Sequence, residues 1–194
     1  MKSLIKDFKK YKWFITSHGK TVIGGKNASQ NDELLGRIKS IKSNLLVMHT
    51  SSPGSPFSVI LSPISDIKKK EIEECAIFTG SFSQVWKKGG REALVDIFRS
   101  DQLYKSNGMK EGMWGVKEKI ERIKVPLKLS LTRQSGFLRA VPEISLKSKN
   151  HSLLTIIPGK EDKKEIFAKL DKNKFDFTLD EFLSALPAGG SKIL

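Results

Sequence analysis

The stretch Gly24-Gly25-Lys26-Asn27-Ala28-Ser29-Gln30-Asn31-Asp32 follows a short apolar run, Thr21-Val22-Ile23, and leads into an amphipathic helical pattern. Paired glycines let a backbone turn sharply. A helix beginning just beyond them aims unpaired N–H groups and the positive end of its dipole at whatever lies above the turn. Lys26 adds a full charge at the same place, and Asn27, Gln30 and Asn31 add polar groups. These are the parts of a phosphate seat, although an ordinary strand-to-helix turn uses the same glycines.

A second block, His49-Thr50-Ser51-Ser52-Pro53-Gly54-Ser55-Pro56, separates two apolar runs. His49, the hydroxyls of Ser51, Ser52 and Ser55, and Asp32 are the residue types of a base, a nucleophile and an orienter. The block joins strand to strand, however, so it lacks the strained strand-to-helix elbow that exposes a nucleophilic serine. The same groups suit contact with sugar and phosphate oxygens.

The charge balance points the same way. Among 194 residues, 35 Lys and Arg face 21 Asp and Glu, a formal net charge of +14. The simplest partner for such a surface is a polyanion, with nucleic acid ahead of anionic membrane. No segment approaches the roughly 20 consecutive apolar residues of a membrane span, and the first ten residues lack the apolar core of a signal peptide. A cytoplasmic location is expected. Cys75 is the single cysteine, so neither an internal disulfide nor a cysteine-built zinc site can form, and it reads as core. His18, His49 and His151 show no metal-ligand spacing, so neither metal nor cofactor is expected.

The order Tyr11-Lys12-Trp13-Phe14-Ile15-Thr16-Ser17, Val22-Ile23-Gly24-Gly25-Lys26-Asn27-Ala28, Gln30-Asn31-Asp32, His49, Pro53-Gly54-Ser55 resembles the NFACT RNA-binding domain over residues 11–126. In larger members that domain belongs to ribosome-associated quality-control factors that bind the large ribosomal subunit and tRNA. The resemblance therefore implies an RNA partner, tRNA or ribosomal RNA, and a place in translation. The chain departs from the family pattern at Pro56, where a second histidine is usual, and at Asn44, where an aspartate is common. The glycosylase-like domain, helix-hairpin-helix unit and coiled coil of the large factors have no counterpart in these residues, so a stand-alone form is expected.

On that reading Lys26, Asn27, Gln30 and Asn31 hold phosphate, His49, Ser51, Ser52 and Ser55 contact sugar or phosphate, and Lys87, Lys88 and Arg91 add rim charge. Trp13, Phe14 and Trp114 are candidates to stack on bases, with core packing as the competing use; strand alternation turns at least one of Trp13 and Phe14 inward. Two other functions stay open: a protein-docking adaptor acting through the C-terminal half, and an RNA-processing enzyme using His49.

The elements that must position these residues read as an α+β fold, with a mixed or antiparallel sheet packed on a few helices over residues 1–126. A β-rich, then helical, extension over residues 127–194 packs on the same domain. Lys2 to Lys10 read as a short basic helix, and residues 13–23 as a hairpin around His18-Gly19. Leu34, Leu35, Ile38 and Ile41 mark a helix from Ser29, with Ser29 and Asp32 spaced like a variant capping box. Residues 45–48 and 57–61 read as strands. One long helix is expected from a cap at Ser65 or Asp66 through Trp86, then a strand over residues 93–98, and a flexible loop over residues 106–113. Strands follow at 127–132, 137–147 and 153–157, helices at 163–170 and after Thr178, and a frayed terminus from Pro187.

Overall fold

The computed structural model describes residues 5, 7–41, 44–118, 120–171 and 173–194. Strands β1 (Lys12–Ile15) and β2 (Thr21–Gly24) form the hairpin, with Gly19 at φ +82° in its turn. Helix α1 (Ala28–Lys39), strands β3 (Leu46–Thr50) and β4 (Ser58–Ile60), helices α2 (Lys69–Ser81) and α3 (Gln84–Lys87), and strand β5 (Glu92–Arg99) follow. A short ribbon of β6 (Leu103–Tyr104) and β7 (Gly115–Val116) leads to β8 (Glu121–Pro126). Six strands make one sheet in the order β1-β2-β4-β3-β5-β8.

A second sheet, ordered β10-β9-β11-β12, uses β9 (Leu129–Gln134), β10 (Phe137–Pro142), β11 (Leu154–Glu161) and β12 (Ser191–Ile193). Helices α4 (Lys163–Lys169) and α5 (Leu179–Ala185) accompany it. Every strand pairing in both sheets is antiparallel, and the class is α+β as the sequence predicts.

Helix α2 lies between the two sheets, touching β3, β4, β5 and β8 on one side and β10 on the other. Hence Glu74 through Ser81 are all buried, where a helix on one sheet would bury only a stripe. One apolar cluster runs from Phe14 through Phe78 to Leu131, Ile156 and Phe182, so residues 127–194 share a core with the first sheet. The first sheet's other face is covered by α1, whose Leu34, Leu35 and Ile38 meet Trp13, Ile23, Val47 and Val59.

Because both faces are covered, alternation along β1 sends Trp13 into one core and Phe14 into the other, leaving them 1% and 0% exposed. Trp13 therefore offers no face to a base, which corrects its place among the candidate RNA contacts.

The expected long helix is interrupted. Ser65 and Asp66 sit in a 3-10 turn, Ile64–Asp66, and Lys68 is the extended residue before α2, its N–H held by Glu71 at 3.0 Å. The helix stops at Ser81 because Ser83 turns back to the Gly80 carbonyl (2.7 Å) and caps α3 through the Val85 N–H (3.0 Å). The strand predicted over residues 137–147 ends at Pro142, which opens a 3-10 turn, Glu143–Ser145. The terminus is not frayed: β12 pairs with β11, Ser191 is buried, and the Trp86 indole N–H donates to the Gly190 carbonyl at 3.2 Å. The Thr178 capping box forms as predicted, with Glu181 as its partner. Of the basic segment read over residues 2–10, Met1 to Leu4 and Lys6 lie outside the described residues; Phe8–Lys10 is a 3-10 turn and Ile5 is buried.

Gly80 gives a test of the helix–sheet spacing. A Cβ there would stand 2.8 Å from Ala93 Cβ and 2.9 Å from Leu127 Cδ2. Helix propensity favours Gly80→Ala by about 1 kcal/mol, but overpacking of this kind costs about 1–3 kcal/mol. A lowered Tm by thermal denaturation is expected; a raised one would show that α2 is not clamped between the sheets.

Candidate functional site

The two glycines of the first block work by close approach rather than by a left-handed turn. Neither is among the glycines at positive φ; a Cβ on Gly24 would stand 3.1 Å from Pro56 Cβ, and one on Gly25 would stand 2.2 Å from Asn31 Oδ1. Asn31 Oδ1 in turn accepts from the Phe57 N–H at 3.1 Å. The first block and the His49 loop are thus joined through one amide side chain.

Gly54, at φ +100°, gives its carbonyl to the Gln84 N–H at 2.8 Å, and a Cβ there would overlap Gln84 Cγ at 2.4 Å. This docks the Pro-Gly-Ser turn on the start of α3.

The cap of α1 is Asn27, earlier than the expected Ser29. Its side chain accepts from the Gln30 N–H (2.9 Å), while Gln30 Oε1 accepts from the Lys26 N–H (3.0 Å). The N–H groups of Ala28 and Ser29 have no partner among the described residues. Asp32 has a different task from capping: it accepts from the Trp114 indole N–H (2.6 Å), the Gly112 N–H (3.0 Å) and Lys105 Nζ (2.9 Å). Burial pushes its carboxyl pKa up, but these donors outweigh that and hold it below the usual range. The loop read as flexible is thereby tied to the N-terminal half of α1.

Between these parts runs a groove of about 740 Å³, walled by Lys12, Lys26, His49, Phe57, Lys110 and Trp114. Of the sequence-predicted residues, Lys26, Asn27, Asn31, His49, Ser51 and Ser55 line it. Gln30 and Ser52 flank it without lining it; Lys87, the last residue of α3, and Lys88 and Arg91 beyond it are exposed. Lys12, Lys110 and Phe82 are wall residues that sequence reasoning missed. A lysine between Tyr11 and Trp13 in an apolar strand was the available signal for Lys12.

His49 is half-buried, stacks on Phe57 at 4.5 Å between ring centroids, and has Nδ1 2.7 Å from the Thr50 carbonyl. Burial lowers its pKa below the ordinary histidine value despite the Thr50 carbonyl and the nearby Asp96 carboxylate, so the ring is neutral at pH 7 with Nδ1–H donating. Ser51 Oγ donates to Asp96 (2.6 Å), which Arg122 also holds (2.6 Å). Ser55 Oγ accepts from the Thr50 N–H (2.9 Å) and donates to the Pro56 carbonyl (3.1 Å). Among the described residues no serine hydroxyl bonds to His49, and Asp32 is committed elsewhere. The residue types of a catalytic triad are present without its geometry.

Lys12 is the electrostatic outlier. Burial, then Lys26, Lys163 and Arg139, lower its pKa to about 8, and its ammonium sits over the Phe82 ring at 4.6 Å rather than on a carboxylate. Asp162, the acidic group nearest Lys163, acts on that lysine instead. A folded pKa below the unfolded one means that protonated Lys12 costs stability below about pH 8, and that the cost disappears as pH rises toward the unfolded lysine range. Cys75, whose thiol burial pushes up, opposes any rise above pH 9, so the comparison must be with a variant. Lys12→Gln is expected to exceed the native chain in stability at pH 6–7 and to lose that advantage by about pH 10, read from denaturant unfolding across pH. A constant difference would place Lys12 in solvent.

Residues 10–118, more than half of the chain, match the sequence model of the NFACT protein RNA binding domain. The archaeal Rqc2 homolog aRqcH of Methanocaldococcus jannaschii is 25% identical over 200 residues, covering 96% of this chain and 29% of that protein. The chain thus spans less than a third of that relative. The solved structure of the C-terminal part of the fibronectin/fibrinogen-binding protein from Streptococcus suis superposes with a TM-score of 0.53 at 23% identity, covering 59% of this chain and 44% of that one, a likeness of fold. With the family's glycine block and His…Pro-Gly-Ser block facing each other across one groove, this chain belongs to the NFACT RNA-binding domain family.

Proposed function

We propose that this chain binds RNA, tRNA or ribosomal RNA, across the groove between the start of α1 and the His49 loop, in the service of ribosome-associated quality control. The observation that carries the reading is that three lysines share one groove with the open start of α1. Ten lysines and arginines among the described residues form ion pairs, among them Lys20 with Glu71, Lys105 with Asp32 and Arg122 with Asp96, and many surface lysines form none. Lys12, Lys26 and Lys110 in the groove wall have no ion pair among the described residues. Unpaired ammonium groups beside the open N–H groups of α1 suit a chain of phosphates. Trp114 and the His49–Phe57 pair give the same groove aromatic surface for a base or ribose. The family description and the Rqc2-like relative support RNA and the ribosome as the setting. Ser51 and Ser55 act in this reading by shaping the loop, and Lys87, Lys88 and Arg91 by adding long-range attraction.

Equilibrium binding to tRNA, duplex RNA and single-stranded RNA over a salt series tests this. Lys26→Ala should weaken all three comparably and flatten the log–log salt slope by about one, while Lys169→Ala, which removes a lysine paired with Glu161, changes neither. Salt-insensitive, weak binding unaffected by Lys26→Ala would discard the groove and favour a protein partner.

A further inference from the structure

Behind the groove, where β1 meets the second sheet, lies a separate cleft of about 160 Å³. Lys9, Lys12, Lys26 and Arg139 line it, and no carboxylate does. Lys12, Lys26 and Phe82 are walls of both the cleft and the groove, so the two adjoin. Its cations rest on aromatic faces in place of counter-ions: Arg139 lies 4.4 Å over Trp13, Lys9 4.6 Å over Phe137, and Lys12 4.6 Å over Phe82.

Two N–H donors of lining residues, Arg139 Nε and Trp13 Nε1, are buried and have no hydrogen-bond partner among the described residues. A buried donor without a partner is costly, and one on a charged group more so, and such an arrangement calls for an acceptor. Arg139 alternates along β10 with the buried Leu138 and Ala140, and β1 packs beside that strand, which leaves the arginine half-buried.

We propose that this cleft binds one phosphate group, held by the Arg139 fork with Lys12 and Lys26, so that residues 127–194 contribute a ligand-binding arginine to the site. An arginine fork with ammonium groups beside it matches the tetrahedral oxygens of a phosphate, and the absence of a lining carboxylate leaves the charge uncompensated until the anion arrives. The shared wall of Lys12 and Lys26 makes the natural source a backbone or terminal phosphate of an RNA strand lying in the groove. That assignment of source rests on the RNA-binding reading above. The phosphate chemistry itself does not, since a free ion would satisfy the same donors.

Two arms separate the sources. In the first, thermal unfolding is followed in inorganic phosphate against chloride at matched ionic strength, for the native chain, Arg139→Gln, Lys12→Gln and the charge-conserving Arg139→Lys. Phosphate should raise the native Tm, and the gain should be lost in both glutamine variants and reduced in Arg139→Lys. In the second, the RNA salt series is repeated with the same variants. A slope shallower by about one for Arg139→Gln, with the folded Tm in chloride retained, assigns the phosphate to RNA.

Phosphate protection that depends on Arg139, together with an unchanged RNA slope, supports the cleft and assigns it to a free phosphate. No protection in phosphate and no change in slope, while Lys26→Ala still weakens RNA binding, overturns the cleft and leaves the RNA-binding reading standing. No RNA binding by the native chain, with Arg139-dependent phosphate protection intact, removes the RNA-binding reading alone. Should Arg139→Gln fail to fold, Lys12→Gln decides the phosphate arm, and the RNA arm is read from Arg139→Lys, whose loss of the fork should weaken RNA binding with the salt slope unchanged.

Discussion

The groove exists because the Asn31 side chain holds two loops at a fixed separation. Its Oδ1 accepts the Phe57 N–H, and only glycine at position 25 leaves room for that oxygen. The N–H of Phe57 lies between a strand and a loop, where a buried donor without a partner would be expensive, so the amide completes the core and sets the site at the same time. Pro56 against Gly24 and Gly54 against Gln84 extend the same contact line, fixing the His49 loop to β2 on one side and α3 on the other. The opposite wall depends on Asp32, which gathers Trp114, Gly112 and Lys105 onto α1.

This scaffolding divides the polar groups into two kinds. The hydroxyls and amides that looked available in the sequence are largely consumed by the loops themselves, as with Ser55, Ser51, Gln30 and Asn27. What remains unspent is mostly positive: ammonium groups, a guanidinium and the first N–H groups of α1, against the exposed carboxylate of Glu111 at the groove's edge. A site with its acceptors used and its donors open selects anions, and it does so through geometry that does not read a base edge. Burial of Lys12 among other cations, with the folding cost that implies, is understandable if the partner is polyanionic.

Much of the fold was legible because it follows local periodicity and local turn chemistry. The hairpin at Gly19, the stripe Leu34, Leu35, Ile38 and the Thr178–Glu181 box need only neighbours in sequence. What failed depended on distant covers. Trp13 stood as a stacking candidate until both faces of its sheet were covered, and the tail looked frayed until Ser191 found β11. The break between α2 and α3 rests on Ser83, whose hydroxyl competes with the helix it was expected to continue. Of the site, the two blocks were readable from their residue types and their pairing from the family resemblance, whereas Lys12, Lys110 and the Asp32–Trp114 bond join residues far apart in sequence.

Photo-crosslinking of bound RNA to the intact chain, with peptides identified by mass spectrometry, addresses the groove most directly. The account predicts crosslinks concentrated in residues 45–57 and 105–118, around His49, Phe57 and Trp114. Crosslinks confined to the outer face of the second sheet, with those two segments unlabelled, would contradict it.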